Sequence, residues 1–91
     1  MVVTLTEAKS YLRVDYADED SLIMDIISAA EKLTADTLRK DLTTAANVTA
    51  TVKIAVLFAI AFLFEHRENA DMNELTRNLR YILMAEREAA F

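Results

Sequence analysis

The sequence contains no glycine, proline, cysteine or tryptophan among its 91 residues. An average chain of this length has about six glycines and four or five prolines, so these absences are informative. Without glycine, tight hairpin turns are disfavoured, which argues against sandwiches and barrels. Glycine-rich phosphate-binding loops are excluded. The missing cysteines exclude disulfides, cysteine-based zinc sites and thiol nucleophiles.

The residues that are present favour helices. The chain has 15 Ala and 11 Leu, the two residue types that lead the helix-propensity scale. Apolar residues make up 54% of the chain, above the usual 45–50%. A monomer of this size buries only about 64% of the surface of its unfolded chain, so its core is marginal. The apolar excess therefore raises the question of a partner surface.

The net charge is −5 and the pI is near 4.7. A protein that binds duplex DNA needs a basic stripe, and an anionic membrane also attracts basic surfaces. We therefore expect neither duplex binding nor membrane binding. The first four residues, MVVT, lack the basic region of a signal peptide, which predicts a cytoplasmic location.

Apolar spacing predicts an all-α domain over residues 1–91, a small bundle with a central apolar third helix. Thr4 and Glu7 have capping-box spacing, Asp18 is the expected cap of the second helix, and Asn47 or Thr49 that of the third. The four helices are predicted at about 5–12, 18–40, 49–68 and 73–90.

Polar residues of the second helix define its expected outer side. Glu31 is predicted to face solvent, and Asp36 and Lys40 have the i, i+4 spacing of a helical ion pair. Asp71 and Glu74 again have capping-box spacing. The inner stripe of the fourth helix is predicted to be Leu75, Leu79, Ile82 and Leu83.

The third helix differs because residues 54–64 are apolar on every side. This run of eleven residues is too short for a membrane span, which needs about 18–20. Two interpretations stay open. Either neighbouring helices of the same chain cover it, or one face packs on a second subunit. The candidate core or interface residues are Ala55, Phe58, Ala59 and Phe62.

No pattern of catalytic or metal-binding residues is present. His66 is the only histidine, and a zinc-protease motif needs a second one four residues away. The acidic run 15–20 lacks the spacing and the glycine of a calcium loop. A helix-turn-helix reader would need a basic recognition helix. We expect no enzyme activity, no metal and no cofactor.

Two stretches are more specific than their composition. Residues 3–15 read VTLTEAKSYLRVD and residues 16–31 read YADEDSLIMDIISAAE, while residues 55–68 read AVLFAIAFLFEHRE. Together they resemble the phage head–tail connector family, also labelled DNA-packaging proteins. Members usually have a glycine near the end of the second helix, which this chain lacks.

The resemblance implies a structural virion protein at the head–tail junction, assembled in the host cytoplasm. Such subunits form a homo-oligomeric ring below the portal protein, which extends the DNA channel and docks head-closure or tail proteins. DNA would pass through without specific binding. The alternative is a small helical oligomeric regulator, either antitoxin-like or transcription-associated.

The end of the fourth helix is the candidate docking surface for a partner. Aromatic residues, Met and Arg are enriched at protein interfaces, and the resemblance implies that this end reaches toward the portal. The alternative is a chain end that only frays. The candidate docking residues are Arg80, Tyr81, Met84, Arg87 and Phe91.

Overall fold

Four α-helices account for the fold, as the apolar spacing predicts. The computed structural model describes residues 2–40, 42, 47–66, 68–69 and 71–84. No β-strand occurs within these ranges, so the all-α class is confirmed. The helices are α1 (Leu5–Leu12), α2 (Asp20–Leu38), α3 (Ala50–Glu65) and α4 (Met72–Ile82).

Side-chain caps begin three of the helices. Thr4 and Glu7 form the predicted capping box, in which each side chain accepts the other residue's amide, both at 3.1 Å. The Thr49 hydroxyl accepts an amide of the first turn of α3, and the Asp71 carboxylate accepts two amides of α4. Each cap stabilises the fold by about 1 kcal/mol.

The start of α2 departs from the prediction that Asp18 caps it. A turn closes first, with the amide of Asp20 on the carbonyl of Ala17 at 3.2 Å, and Glu19 takes the cap position without a side-chain cap bond. Asp20 is therefore the first helical residue. Its carboxylate lies 2.7 Å from the Lys9 Nζ of α1, which joins the two helices.

Both α1 and α2 end at an arginine in the left-handed conformation. Arg13 has φ of 60° and Arg39 has φ of 61°, a position that glycine usually fills. Because α2 ends here rather than at residue 40, Lys40 does not lie one turn beyond Asp36. The predicted Asp36–Lys40 pair is wrong, and Lys32 pairs with Asp36 instead at 3.4 Å.

The core forms mainly between α2 and α3, which make the most extensive helix–helix contact. The buried residues of α2 are Ile23, Ile26, Ile27, Ala30, Thr34 and Leu38. The Thr34 hydroxyl is buried but donates to the carbonyl of Ala30 at 2.8 Å, so it is not left unsatisfied. The subunit is a slab of 44 × 28 × 17 Å, two helix layers thick.

The segment before α1 is tied to α2 by a residue that the sequence pattern placed toward solvent. Glu31 is half-buried, and its Oε2 accepts the amides of Val2 at 2.7 Å and Val3 at 3.1 Å. The Val3 side chain is fully buried. The prediction that Glu31 faces solvent is wrong because these amides precede the helix and need an acceptor from elsewhere.

The third helix is shorter than the sequence predicts, because α3 ends at Glu65 instead of reaching residue 68. Helix α4 is regular from Met72 to Ile82, and Met84 is again helical. Residues 85–91, which include most of the predicted end of α4, lie outside the described part of the chain. Of the predicted inner stripe of α4, Ile82 is half-buried. The fully buried members are Leu75, Leu79 and Leu83.

Candidate assembly surfaces

One side of α3 faces the core. Ala55 and Ala59 are fully buried one turn apart, so their small side chains let neighbouring helices approach closely. Phe62 is 8% exposed, whereas Phe58 is only half-buried against the core. The complete set of buried residues in α3 is Val52, Ala55, Val56, Ala59, Ile60 and Phe62.

The opposite side of α3 is also apolar but is only partly covered. Ile54 is 59% exposed, an unusual position for a β-branched apolar residue in the middle of a helix. Four half-buried residues share this side at helical spacing. We name this surface the α3 open face, and it consists of Ile54, Leu57, Phe58, Ala61 and Phe64.

Stacked rings connect the open side of α3 with its buried side and its end. The ring centroids of Phe58 and Phe62 are 6.3 Å apart, and those of Phe62 and His66 are 4.5 Å apart and nearly parallel. The Nδ1 atom of His66 also lies 3.0 Å from the carbonyl of Phe62. His66 therefore closes the helix end, which gives it a structural role.

Helix α1 extends the apolar surface beside the α3 open face. Tyr11 is 51% exposed and lies next to Leu57 and Phe58 in two adjoining depressions. The larger depression has a volume of about 520 Å³ and has Arg13 and Glu65 among its lining residues. This depression is an open, largely apolar groove, with the positive charge of Arg13 and the negative charge of Glu65 at its edge.

The outer side of α4 has a different composition. Arg77, Arg80, Tyr81 and Met84 recur at helical spacing and line a groove of about 250 Å³. Tyr81 is 70% exposed and Met84 is 47% exposed. We name these four residues the α4 outer face. The structure thus brings together three of the predicted docking residues. The other two, Arg87 and Phe91, lie outside the described residues.

Negative charge is concentrated in one segment. Residues 14–31 contain six acidic residues and no Lys or Arg, whereas the rest of the chain has nine acidic and ten basic residues. Asp20 pairs with Lys9, and Glu31 accepts two backbone amides. Asp25 is exposed on α2, as are Asp15 and Asp18 before the helix. This half of the subunit surface is strongly acidic.

One acidic residue outside that segment has an altered titration. The Glu7 carboxylate lies 2.5 Å from the Lys53 Nζ of α3. This hydrogen bond, and next the one from the Thr4 amide, lowers the pKa of Glu7 below its ordinary value of 4.5. The pair joins α1 to α3 and sets the position of Tyr11 beside the α3 open face.

The described ranges contain no cluster of three or more residues able to hold a metal ion. Within the same ranges, no helix is both long enough and apolar enough to cross a membrane. Exposed large apolar side chains occur on both α3 and α4, namely Ile54, Met72 and Tyr81.

The fold and these surfaces define a small all-helical assembly subunit. A family model of phage gp6-like head–tail connector proteins matches residues 2–87, which is nearly the whole chain. The chain therefore belongs to the phage gp6-like head–tail connector family. The match confirms the resemblance drawn from residues 3–68 and extends it through α4. No curated protein and no solved structure gives a match.

Family membership gives the general role of the protein. Head–tail connectors are structural components of the virion rather than enzymes, and they interact with other virion proteins such as portal and tail.

Sequence reasoning missed part of the exposed apolar surface. Ile54, Leu57 and Tyr11 were not among the candidate residues, because an apolar run does not show which of its sides is buried. The available signal was the pair of small residues Ala55 and Ala59, whose side of the helix is the closely packed one.

Proposed function

We propose that this protein is the adaptor subunit that forms a ring below the portal, extends the DNA channel and docks tail or head-closure proteins. The observation that carries the proposal is the α3 open face. Ile54 is exposed and its apolar neighbours on this face are only half-buried in the single subunit, although the other three helices already pack on the core. Assembly would remove this surface from water.

We propose a ring because the chain belongs to the connector family, since one apolar surface alone would also suit a closed pair. Subunits of a closed ring contact one another through two different surfaces, so each subunit needs two complementary interface surfaces. The α3 open face supplies one of them. The family implies contacts with other virion proteins, and the α4 outer face remains available for those.

The channel role predicts weak contact with DNA. The chain carries a net charge of −5, and affinity for duplex DNA depends largely on Lys and Arg contacts with phosphates. We expect no measurable duplex binding in an anisotropy titration at physiological salt. Tight binding under those conditions would contradict the channel role and favour the regulator alternative.

Docking on the portal is assigned to the end of α4. The α4 outer face combines two arginines with exposed Tyr81 and Met84, and residues 85–91, including Arg87 and Phe91, continue from it. Deleting residues 85–91 should leave helicity and thermal stability unchanged while preventing incorporation into portal-bearing heads. Infectious particles completed by the truncated protein would contradict this docking role.

The ring itself is tested by solution mass and by imaging. The wild-type protein should form rings, visible by negative-stain microscopy, at high concentration or on portal-bearing heads. A discrete dimer under every condition would contradict the ring and favour the regulator. The Ile54→Gln variant should remain folded and fail to form rings, and Glu68→Gln, at an exposed position after α3, serves as the control.

A further inference from the structure

The open question on the ring is which surface of the neighbouring subunit covers the α3 open face. We propose that the covering surface is the outer side of α2 in a second copy, so that the ring stacks α3 of one subunit on α2 of the next. This inference rests on the proposed ring. We name the covering surface the α2 outer face, and it consists of Leu22, Met24, Asp25, Ser28 and Ala29.

The first argument is the position of the two surfaces within one subunit. Helices α2 and α3 pack on each other through their buried sides, and both open surfaces lie on the sides turned away from that contact. In a subunit 17 Å thick, the α2 outer face and the α3 open face therefore lie on opposite sides. A subunit of a closed ring needs this arrangement, because its two neighbours lie on opposite sides.

The second argument is the apolar character of both surfaces. Leu22 and Met24 are both among the exposed large apolar residues of the subunit, and they flank the exposed small residues Ser28 and Ala29. The α2 outer face is thus a strip with apolar edges. Its centre is polar, because Lys32 and Asp36 continue the line of Asp25 and Ser28 and form an exposed ion pair. The projecting side chains of Ile54 and Phe58 would pack into it as ridges pack into grooves between helices.

The third argument is charge. Asp25 lies on the α2 outer face within the acidic segment 14–31, and Arg13 lines the groove beside the α3 open face. Neither side chain forms an ion pair with another residue in the described ranges. Two copies joined through their α2 outer faces would bring acidic segments together. Stacking α2 on α3 instead allows Asp25 to pair with Arg13, and the register that makes this pair must also keep Asp25 away from Glu65, which lines the same groove.

Cysteine cross-linking tests the pairing directly, since the natural chain contains no cysteine. Subunits carrying Ile54→Cys are mixed with mass-labelled subunits carrying Ser28→Cys, assembled into rings, and treated with a short bismaleimide. We expect a cross-linked pair that contains one subunit of each kind. Ser28→Cys exchanges only oxygen for sulfur at an exposed position, so it should not impair folding.

The same experiment contains the outcomes that overturn the proposal. Cross-linking of Ile54→Cys to itself would show an α3–α3 contact, and cross-linking to Tyr81→Cys would show that α4 covers the face. Rings that give no Ile54–Ser28 cross-link also overturn the pairing but leave the connector role intact. Failure of the wild type to form rings under any condition contradicts the proposed ring, on which the pairing rests.

Charge reversal provides an independent measurement. Arg13→Glu and Asp25→Arg should each raise the protein concentration needed for half-maximal assembly about tenfold, and the double variant should restore it. Arg39→Glu is the matched control, because Arg39 has the same left-handed backbone conformation as Arg13 at the end of a helix. Equal effects of Arg13→Glu and Arg39→Glu, or no rescue in the double variant, would overturn the pairing.

Discussion

Helices α3 and α4 pack on the same core but differ on the sides that face away from it. On α4 the outward side carries arginines together with the exposed Tyr81 and Met84, whereas on α3 it carries Ile54, Leu57 and Phe58 and no arginine. A mainly polar outward side, as on α4, is what the folding of a single subunit requires. Helix α3 has more apolar surface than the folding of a single subunit requires. The proposed ring would cover this extra apolar surface.

The largest expected effects come from the buried sides, where the two helices should behave alike. Phe62→Ala should lower the free energy of unfolding by about 3–5 kcal/mol, and Leu79→Ala by about 2–5 kcal/mol, because both leave cavities in the core. Chemical denaturation measures both values. A negligible loss for Phe62→Ala would show that α3 is not central to the fold, and the comparison would fail.

Substitutions on the outward sides of α3 and α4 should affect assembly without affecting the free energy of unfolding. Ile54→Gln and Tyr81→Gln replace exposed residues, so each should change the free energy of unfolding by no more than about 0.5 kcal/mol. Ile54→Gln should nevertheless abolish rings, whereas Tyr81→Gln should retain rings and lose binding to the portal. Ring yield by microscopy and co-sedimentation with portal-bearing heads distinguish the two. If both variants lose the same property, the two outward sides do not have separate roles.

A smaller effect is expected at the left-handed helix end of α2. Arg39 has φ of 61°, which an L-residue with a Cβ adopts at a cost. Arg39→Gly should therefore raise the free energy of unfolding by about 0.5–1 kcal/mol. Arg39→Ala keeps the Cβ and is the control, for which thermal denaturation should show no gain. Equal stability of the two variants would contradict the explanation.

The smallest effect concerns pH. Because the pKa of Glu7 is lowered in the folded protein, its ion pair stabilises the fold above the ordinary value of 4.5, and this contribution is lost as the pH falls through the folded-state pKa. Glu7→Gln should be less stable than the wild type at neutral pH, and the difference should shrink on acidification.

The control for that measurement is Asp18→Asn, which removes an exposed carboxylate that forms no ion pair in the described part of the chain. Its stability difference from the wild type should stay nearly constant over the same pH range. A parallel pH dependence in both variants would mean that the Lys53 contact is not the cause.

The features that the sequence allowed us to predict are local ones. The capping box of Thr4 with Glu7 and the cap at Asp71 depend on residues two or three positions apart, so spacing alone reveals them. The Lys9–Asp20 ion pair and the bonds of Glu31 join distant parts of the chain. No spacing rule predicts such contacts. The bonds of Glu31 overturned the prediction that this residue faces solvent.

The candidate surfaces divide in the same way. The outward position of Tyr81 follows from the strong polar and apolar alternation of α4, while the exposure of Ile54 does not follow from a run that is apolar throughout. The missing glycine was another source of error. Glycine usually fills the left-handed position at a helix end and so shows where the helix stops. This chain has no glycine, so α2 was predicted to run past Arg39.

The bonds between Glu31 and the amides of Val2 and Val3 have a consequence for hydrogen exchange. Both amides lie outside any helix, yet their acceptor is a side chain on α2. They exchange with solvent only when the first residues detach from α2 or when α2 itself opens. Protection at Val2 and Val3 therefore measures the attachment of the chain's first residues to α2.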